Sequence, residues 1–431
     1  MSDIGKKSLQ TLLRNVLIQG AGIIGSIVIA RSLGPGGKGI YTYAVVALGA
    51  IVIPNGLASA IAWQYTKRHR SPAAILRAMM TILAAVAVPL SIVLAAIGLL
   101  VPSQRALLYV AAATPVALFA QSASGFFLAD SDVRTINASQ TFSVLAVAVY
   151  VPLLIFAHAS VWTVLAVWVA GSIASAVYVV VKLRRYAAMT TGDDDGPIVR
   201  EQLKFGAQMG ITSLSAYLNF RIDVFIIIFM LGQTALGLYS VGLGIAELLW
   251  QLNRSIVTAS FGRIARGEED TAAVTTATSM RHAFTVVTVS AILVALLAPP
   301  IVPRVYGSAF EQSVLVTLLL LPGIVAYSMM GLLSTFFTQQ IGEPRLPLIF
   351  RLISTIICAV ATILLLPRIG IIGGAIATSI SYVISFALAA GYFVRRTGTA
   401  PSNLFFLRKS DLESYRSLLR VTLNSLRRIP T

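Results

Sequence analysis

Apolar residues run along this chain in blocks of about twenty or more, and short polar connectors separate the blocks. A helix needs about 20 mostly apolar residues to cross a bilayer. Blocks of that length fall at roughly 9–31, 40–64, 75–101, 106–129, 135–157 and 160–182. A second set falls at roughly 203–231, 234–262, 275–302, 312–338, 346–366 and 371–394. The pattern predicts an all-α integral membrane protein with twelve transmembrane helices. Lys6 and Lys7 precede a first block longer than a signal-peptide core, so that helix is expected to insert and stay.

One phrase occurs twice. Leu33-Gly34-Pro35-Gly36-Gly37-Lys38-Gly39-Ile40-Tyr41-Thr42 matches Leu231-Gly232-Gln233-Thr234-Ala235-Leu236-Gly237-Leu238-Tyr239-Ser240, at a constant offset of 198 residues. Each copy reads Leu-Gly, four residues, Gly, an aliphatic, Tyr and a hydroxyl. Pro115 and Pro322, Arg134 and Arg345, and the basic endings Lys182–Arg185 and Arg395–Arg396 recur at similar places in the two halves. The chain therefore reads as a duplication. Six helices per half is an even number, so both halves enter the bilayer from the same side. That predicts parallel repeats about an axis along the membrane normal, with a cavity between them, the plan of many transporters. The expected organisation is an N-terminal lobe over 1–185, a linker over 186–202, a C-terminal lobe over 203–396 and a basic tail over 397–431.

Composition supports the membrane reading. Of 431 residues, 57% are hydrophobic and 11% charged, with a mean hydropathy of +0.85; a soluble protein carries about 25% charged residues. The net charge of +17 does not point to nucleic acid, because the lysines and arginines sit in bursts between apolar blocks. Counted by connector, 27 fall on one side of the predicted membrane and 5 on the other, with Arg221 inside a helix. By the positive-inside rule both termini are cytoplasmic. The single cysteine, Cys358, lies in an apolar block and reads as a small buried hydrophobe.

Three polar features change the picture further. Asp193-Asp194-Asp195 in the linker reads as a solvated charge run and not as a metal site. The tail from 411 to 428 places Leu412, Tyr415, Leu418, Leu419 and Leu426 on one side and Arg416, Arg420 and Arg427 on another, which predicts an interfacial helix on anionic lipid. Ionisable residues at membrane depth cost about 2.5–3.5 kcal/mol each on insertion scales and so mark function. Arg221 and Asp223 in the seventh helix, and Glu247 and Arg254 in the eighth, are the clearest. Arg221 and Asp223 are two apart and point to different sides of their helix. Folding the two helices back near residue 232 brings Arg221 to the depth of Glu247, so these two are expected to lie level and to pair. Glu247, Gln251 and Arg254 are spaced i, i+4, i+7 and are expected to share one face of a continuous helix, turned to a cavity.

The expected chemistry is a charged central cavity for an anionic head group, with Asp223 or Glu247 available for ion or proton coupling. The first half offers a milder set: Arg14, Asn15 and Gln19 in the first helix, Asn55 in the second and Gln121 in the fourth. The three histidines are scattered, and no zinc spacing, P-loop or nucleophile elbow is present, so no catalytic residues, metal or cofactor are expected. Transport would then draw on a proton or sodium gradient, the membrane potential or the substrate gradient.

The stretch Ile29-Ala30-Arg31-Ser32-Leu33-Gly34 to Tyr41 resembles the end of the first helix and first loop of polysaccharide-transporter flippases, within the multidrug/oligosaccharidyl-lipid/polysaccharide (MOP) exporter superfamily. Arg221-Ile222-Asp223, with Leu231-Gly232 and Gly237-Leu238-Tyr239-Ser240, resembles the start of that family's second half. The resemblance implies a V-shaped bundle like that of the multidrug-and-toxin-extrusion (MATE) transporters, working by alternating access in the bacterial inner membrane. It implies a polyprenyl-pyrophosphate-linked oligosaccharide as cargo, for surface polysaccharides such as O-antigen, and glycan polymerase or ligase machinery as partners. Lipid II flippases of the superfamily carry two additional helices and several cavity arginines, which this chain does not show. A drug/cation antiporter of the same architecture would use a carboxylate in the first lobe, and no Asp or Glu occurs between Asp3 and Asp130. A membrane glycan polymerase or ligase would need a large external loop with catalytic Arg or His, and the external connectors here are short.

Overall fold

The computed structural model describes residues 3–190, 197–406, 408 and 411, with side chains from Ile18 onward except that of Ser143. Every regular element among them is helical. The first half contains α1 (Asp3–Val52), α2 (Leu57–Lys67), α3 (Pro72–Leu100), α4 (Ala106–Ala129), α5 (Val133–Phe156) and α6 (Val161–Ala187). The second contains α7 (Ile198–Glu247), α8 (Leu249–Arg266), α9 (Glu269–Tyr306), α10 (Gln312–Ser328), α11 (Met330–Thr335), α12 (Arg345–Ile369), α13 (Ile371–Thr397) and the short α14 (Ser402–Phe405).

Among the described residues, ten stretches are long and apolar enough to cross a membrane. Two of them, Ile18–Lys67 and Ile198–Arg266, run to 50 and 69 residues. Each is divided by a glycine at the repeated phrase. Gly34 (φ 64, ψ −172) splits α1 into two helices, and Gly232 (φ 81, ψ −171) splits α7 in the same way. That combination of φ and ψ is essentially closed to any residue with a Cβ, so both copies of the phrase need glycine there. The two breaks have nearly the same backbone angles and stand 198 residues apart.

The second and eighth predicted helices differ from the sequence expectation in their detail. The expected 40–64 helix is interrupted: α1 continues to Val52, the chain turns through Pro54, and α2 restarts at Leu57. Proline lacks the N–H a continuous helix needs, which places the interruption there. In the 234–262 helix a tightened turn divides α7 from α8, where the Leu248 N–H bonds the Ile245 carbonyl and the Gln251 N–H bonds the Leu248 carbonyl, each three residues back.

The chain forms two compact units. One runs to Val241 and adds Pro300–Ser313 and Leu366–Ile371; the other comprises Gly242–Pro299, Val314–Leu365 and the chain from Ile372 on. In the first, Leu57 and Ile61 of α2, Ile75 and Met79 of α3, Phe126 and Phe127 of α4 and Tyr186 of α6 form one buried cluster. Ile29, Tyr150, Leu154 and Val164 form another, joining α1, α5 and α6. In the second unit, Phe336 packs edge-on against Phe393, and Phe337 against Tyr392. Outward-facing apolar side chains are numerous: Ile92, Leu99 and Leu100 of α3 are 63%, 73% and 81% exposed. Such continuous apolar surface is a liability in water and the normal finish against lipid. Lipid offers helices little hydrophobic reason to associate, so close packing and internal polar bonds hold these bundles together.

The second unit also carries a polar latch. Asp411 is buried and pairs bidentately with Arg281 of α9, at 2.7 Å to Nε and 2.9 Å to Nη2. Arg281 Nη1 also donates to the Asn403 carbonyl, and the Arg408 backbone N–H donates to Asp411. These bonds fasten the segment after α13 to α9. The hydrogen bonds from Arg281 hold the Asp411 carboxyl below the usual carboxylate range. A lowered carboxyl pKa means the latch is fully formed above the unfolded value near 4 and is lost as pH falls through the lower, folded value. Asp411→Asn is therefore expected to raise the rate of tryptic cleavage after Arg408 about tenfold at neutral pH. In the wild type, hydrogen-exchange protection over 402–406 should survive at pH 5 and decline only below about pH 4. Equal cleavage of the two proteins would show that the pair does not hold the segment. The interfacial helix expected beyond Asp411, and the Asp193–Asp195 run, lie outside the described residues.

Candidate functional site

The repeated phrase is where the first unit is tied together. Beyond each glycine break the restarted helices cross at Gly39 and Gly237. A Cβ on Gly39 would fall on the Gln233 carbonyl oxygen, and one on Gly237 would fall on the Pro35 carbonyl oxygen. Gln233 stands 198 residues after Pro35, and Gly237 198 after Gly39, so the contact maps onto itself under the repeat. Thr42 Oγ1 donates to Ser240 Oγ at 3.2 Å across the same crossing, again between equivalent positions.

Asp223 and Tyr239 meet inside this region. Asp223 is 2% exposed and Tyr239 is fully buried. The Tyr239 hydroxyl donates to the Asp223 carboxylate, which also accepts from the Val224 N–H at 2.8 Å. Folding α7 about Gly232 brings the two together, since they are 16 residues apart. Asp223 is thus held by the tyrosine of the repeated phrase. Arg221, half-buried, donates to the Phe220 carbonyl at 2.9 Å. It belongs to the first unit, and Glu247, Gln251 and Arg254 belong to the second. Glu247 and Gln251 are half-buried and Arg254 is exposed. The tightened turn at Leu248 falls between Glu247 and Gln251, so the i, i+4, i+7 stripe does not run along an uninterrupted helix.

The candidates in the first half divide. Asn55 closes the break between α1 and α2: its Oδ1 accepts from the Leu57 N–H, and its Nδ2 donates to Ser122 Oγ of α4 at 2.7 Å. Gln19 is half-buried in α1. Arg14 and Asn15 lie in α1, and their side chains are outside the described set. Gln121 is exposed and lines a cavity between α4, α5 and α6.

Two polar clusters bring together residues that the sequence reading did not group. Gln64 donates to the Ile198 carbonyl, Arg70 pairs with Glu201 at 3.3 Å, and Gln202 donates to the Ile75 carbonyl. These bonds bind α2 and α3 to the start of α7. In the second unit, Tyr327 stacks on Tyr382 at 4.4 Å between ring centres, with Trp250 about 6 Å from both. The Tyr327 hydroxyl is hydrogen-bonded to Arg351 of α12. Asn253 of α8 donates to the Ser328 carbonyl beside them. An arginine among aromatic faces suits an anion or a sugar ring. The sequence signal was an arginine six residues inside an apolar helix, which counting connector charges assigns to the membrane edge. Among the described residues, no group of histidine, cysteine and carboxylate side chains suits a metal.

These features define a multi-pass membrane protein built from internally bonded, duplicated helices. It belongs to the polysaccharide biosynthesis protein family, whose model matches residues 4–268. Its fold is that of the MOP superfamily. An inward-facing MATE-family multidrug resistance transporter of that superfamily superposes with a TM-score of 0.69 at 16% identity, covering 88% of this chain and 94% of that one. The lipid II flippase MurJ, in an inward closed conformation, gives 0.69 at 14% identity, covering 97% and 94%. A MOP superfamily transporter from Pyrococcus furiosus, described as having a binding pocket of reversed polarity, gives 0.56 at 14% identity over 92% and 95%. No curated protein sequence matches.

Proposed function

We propose that this protein is a flippase that moves a polyprenyl-pyrophosphate-linked oligosaccharide from the cytoplasmic to the outer leaflet of the bacterial inner membrane, by alternating access, for surface polysaccharide synthesis. The family match over residues 4–268 carries the reading. The ten apolar stretches, with the glycine breaks that divide two of them, support twelve spans in two six-helix lobes with both termini in the cytoplasm. It is a transporter and not an enzyme. Arg221, with Arg14 near the first helix's start, attracts the pyrophosphate and acidic sugars; in the second unit, Gln251 and Arg254 have the same role. Asp223 or Glu247 couples translocation to a proton or sodium ion. Asn15, Gln19 and Asn55 complete the polar lining of the first lobe. The antiporter reading is weaker, because α1 to α4 carry no carboxylate after Asp3.

Arg221→Ala and Glu247→Ala are each expected to lower translocation of a fluorescent lipid-linked oligosaccharide in proteoliposomes at least tenfold, with reconstituted protein levels unchanged. Full activity in both variants would remove them from the transport path. Uptake of a cationic dye by the wild type, with no movement of the lipid-linked glycan, would favour the antiporter.

A further inference from the structure

The cavity beside Gln121 has chemistry of its own. It measures about 350 Å³, at the low end of the ~300–1,000 Å³ range of small-molecule sites. Its polar lining is Gln121 and Ser124 of α4, Ser139 and Gln140 of α5, and Ser172 and Ser175 of α6. The remaining lining residues, such as Ala117, Ala120 and Ile136, are apolar, and none is charged. A charged group would find no ionic partner here, so the lining favours an uncharged ligand over the pyrophosphate.

The hydroxyls are also polarised in one sense. Ser124 donates to the Gln121 carbonyl at 2.6 Å, Ser139 to the Ile136 carbonyl at 2.8 Å, Ser172 to the Trp168 carbonyl at 3.2 Å and Ser175 to the Ser139 carbonyl at 3.0 Å. Each serine has committed its one proton to the backbone and keeps oxygen lone pairs for a ligand. Gln121 and Gln140 are both exposed. They lie about 10–12 Å in from the helix ends that meet at the α4–α5 turn, taking 1.5 Å per residue. Amides held at that depth toward lipid would be costly; turned into a cavity, they offer both donors and acceptors. A ligand for this site is uncharged, rich in hydroxyl donors and about the size of one or two sugar rings.

We infer that this cavity is a subsite for an uncharged sugar ring of the lipid-linked glycan, recognised through Gln121, Gln140 and the four serine oxygens. The inference rests on the flippase reading and adds to it the part of the cargo that the charged residues do not read. The first turn of α5 beside it carries Arg134, which falls on the side of the predicted membrane that holds most of the lysines and arginines, so the subsite lies near the leaflet from which cargo is loaded.

The test uses the full chain in nanodiscs and two synthetic probes: polyprenyl pyrophosphate bare, and the same lipid carrying one neutral hexose. Wild type is expected to bind the hexose-bearing probe about tenfold more tightly, equivalent to about 1.4 kcal/mol. Gln121→Leu with Gln140→Leu should bring that ratio close to one while leaving affinity for the bare lipid unchanged, which also shows that the variant is folded. Should the leucine pair lose bare-lipid binding as well, Gln121→Ala with Gln140→Ala gives the same two readings with less added bulk. A ratio that stays near ten in the variants overturns the subsite and leaves the flippase reading intact. A sodium-dependent change in wild-type affinity that the variants lose, with the sugar ratio unmoved, makes the cavity a cation site and likewise overturns it. Wild type binding neither probe removes the flippase reading, and the subsite with it.

Discussion

Gly237→Val is expected to lower the melting temperature of the detergent-solubilised protein by about 5–10 °C, and Gly39→Val by a similar amount. The added Cβ in either case falls on a backbone carbonyl oxygen of the opposing helix, Pro35 or Gln233, and backbone cannot yield as a flexible side chain does. The two helices must separate. That costs the 1–3 kcal/mol or more of an overpacked contact, and about 2–4 °C of melting temperature follows each kcal/mol in a large domain. Separation also stretches the Thr42–Ser240 hydrogen bond. Because the two glycines sit in one crossing, the double variant should lose less than the sum of the single losses. Gly244→Ala is the control: nothing lies within 4 Å of its Cβ, so its melting temperature should stay within a degree or two. Indifference to valine at both Gly39 and Gly237 would mean that the helices do not cross there.

Why the repeated phrase was legible in the sequence follows from this geometry. Each glycine is required for a reason that acts on the backbone: Gly34 and Gly232 for their angles, Gly39 and Gly237 for close approach. Such requirements survive duplication and leave an exact spacing. The apolar blocks were legible for an equally simple reason, since lipid fixes both their length and their composition.

What the sequence did not reveal depends on partners that no ruler along the chain contains. The connector around Gly34 already parts the 9–31 and 40–64 blocks, whereas the second block stays apolar through Pro54, so the end of α1 at Val52 and the restart of α2 at Leu57 cannot be read from hydropathy. Arg351 looked like an edge residue, yet its guanidinium meets Tyr327 inside an aromatic cluster. Serines 124, 139, 172 and 175 barely lower the mean hydropathy of their blocks, and only the fold assembles them around one cavity. Asp223 was read as available for ion or proton coupling; the fold-back near residue 232 brings position 239 toward its depth but does not say that the tyrosine side chain turns in to the carboxylate.

That contact gives the second large effect. Tyr239→Phe should destabilise the protein by about 2 kcal/mol, because it removes a hydrogen bond to a buried carboxylate, and bonds to charged groups are worth about 1.5–3 kcal/mol. The equivalent position in the first half is Tyr41, and the equivalent of Asp223 is Gly25. No carboxylate stands there; the space is filled by the Tyr150 hydroxyl, which bonds Tyr41. Both partners in that pair are neutral, so Tyr41→Phe should cost about 1 kcal/mol. The duplication has thus kept the tyrosine and its need for a polar partner while exchanging the partner's charge. Unfolding in mixed micelles would separate the two costs. Adding Asp223→Asn to Tyr239→Phe should recover part of the loss, since a neutral amide tolerates the missing donor better than a carboxylate does. Equal losses for Tyr41→Phe and Tyr239→Phe, with no recovery from Asp223→Asn, would mean that Asp223 carries no charge in the folded protein and that proton coupling must begin from its protonated form.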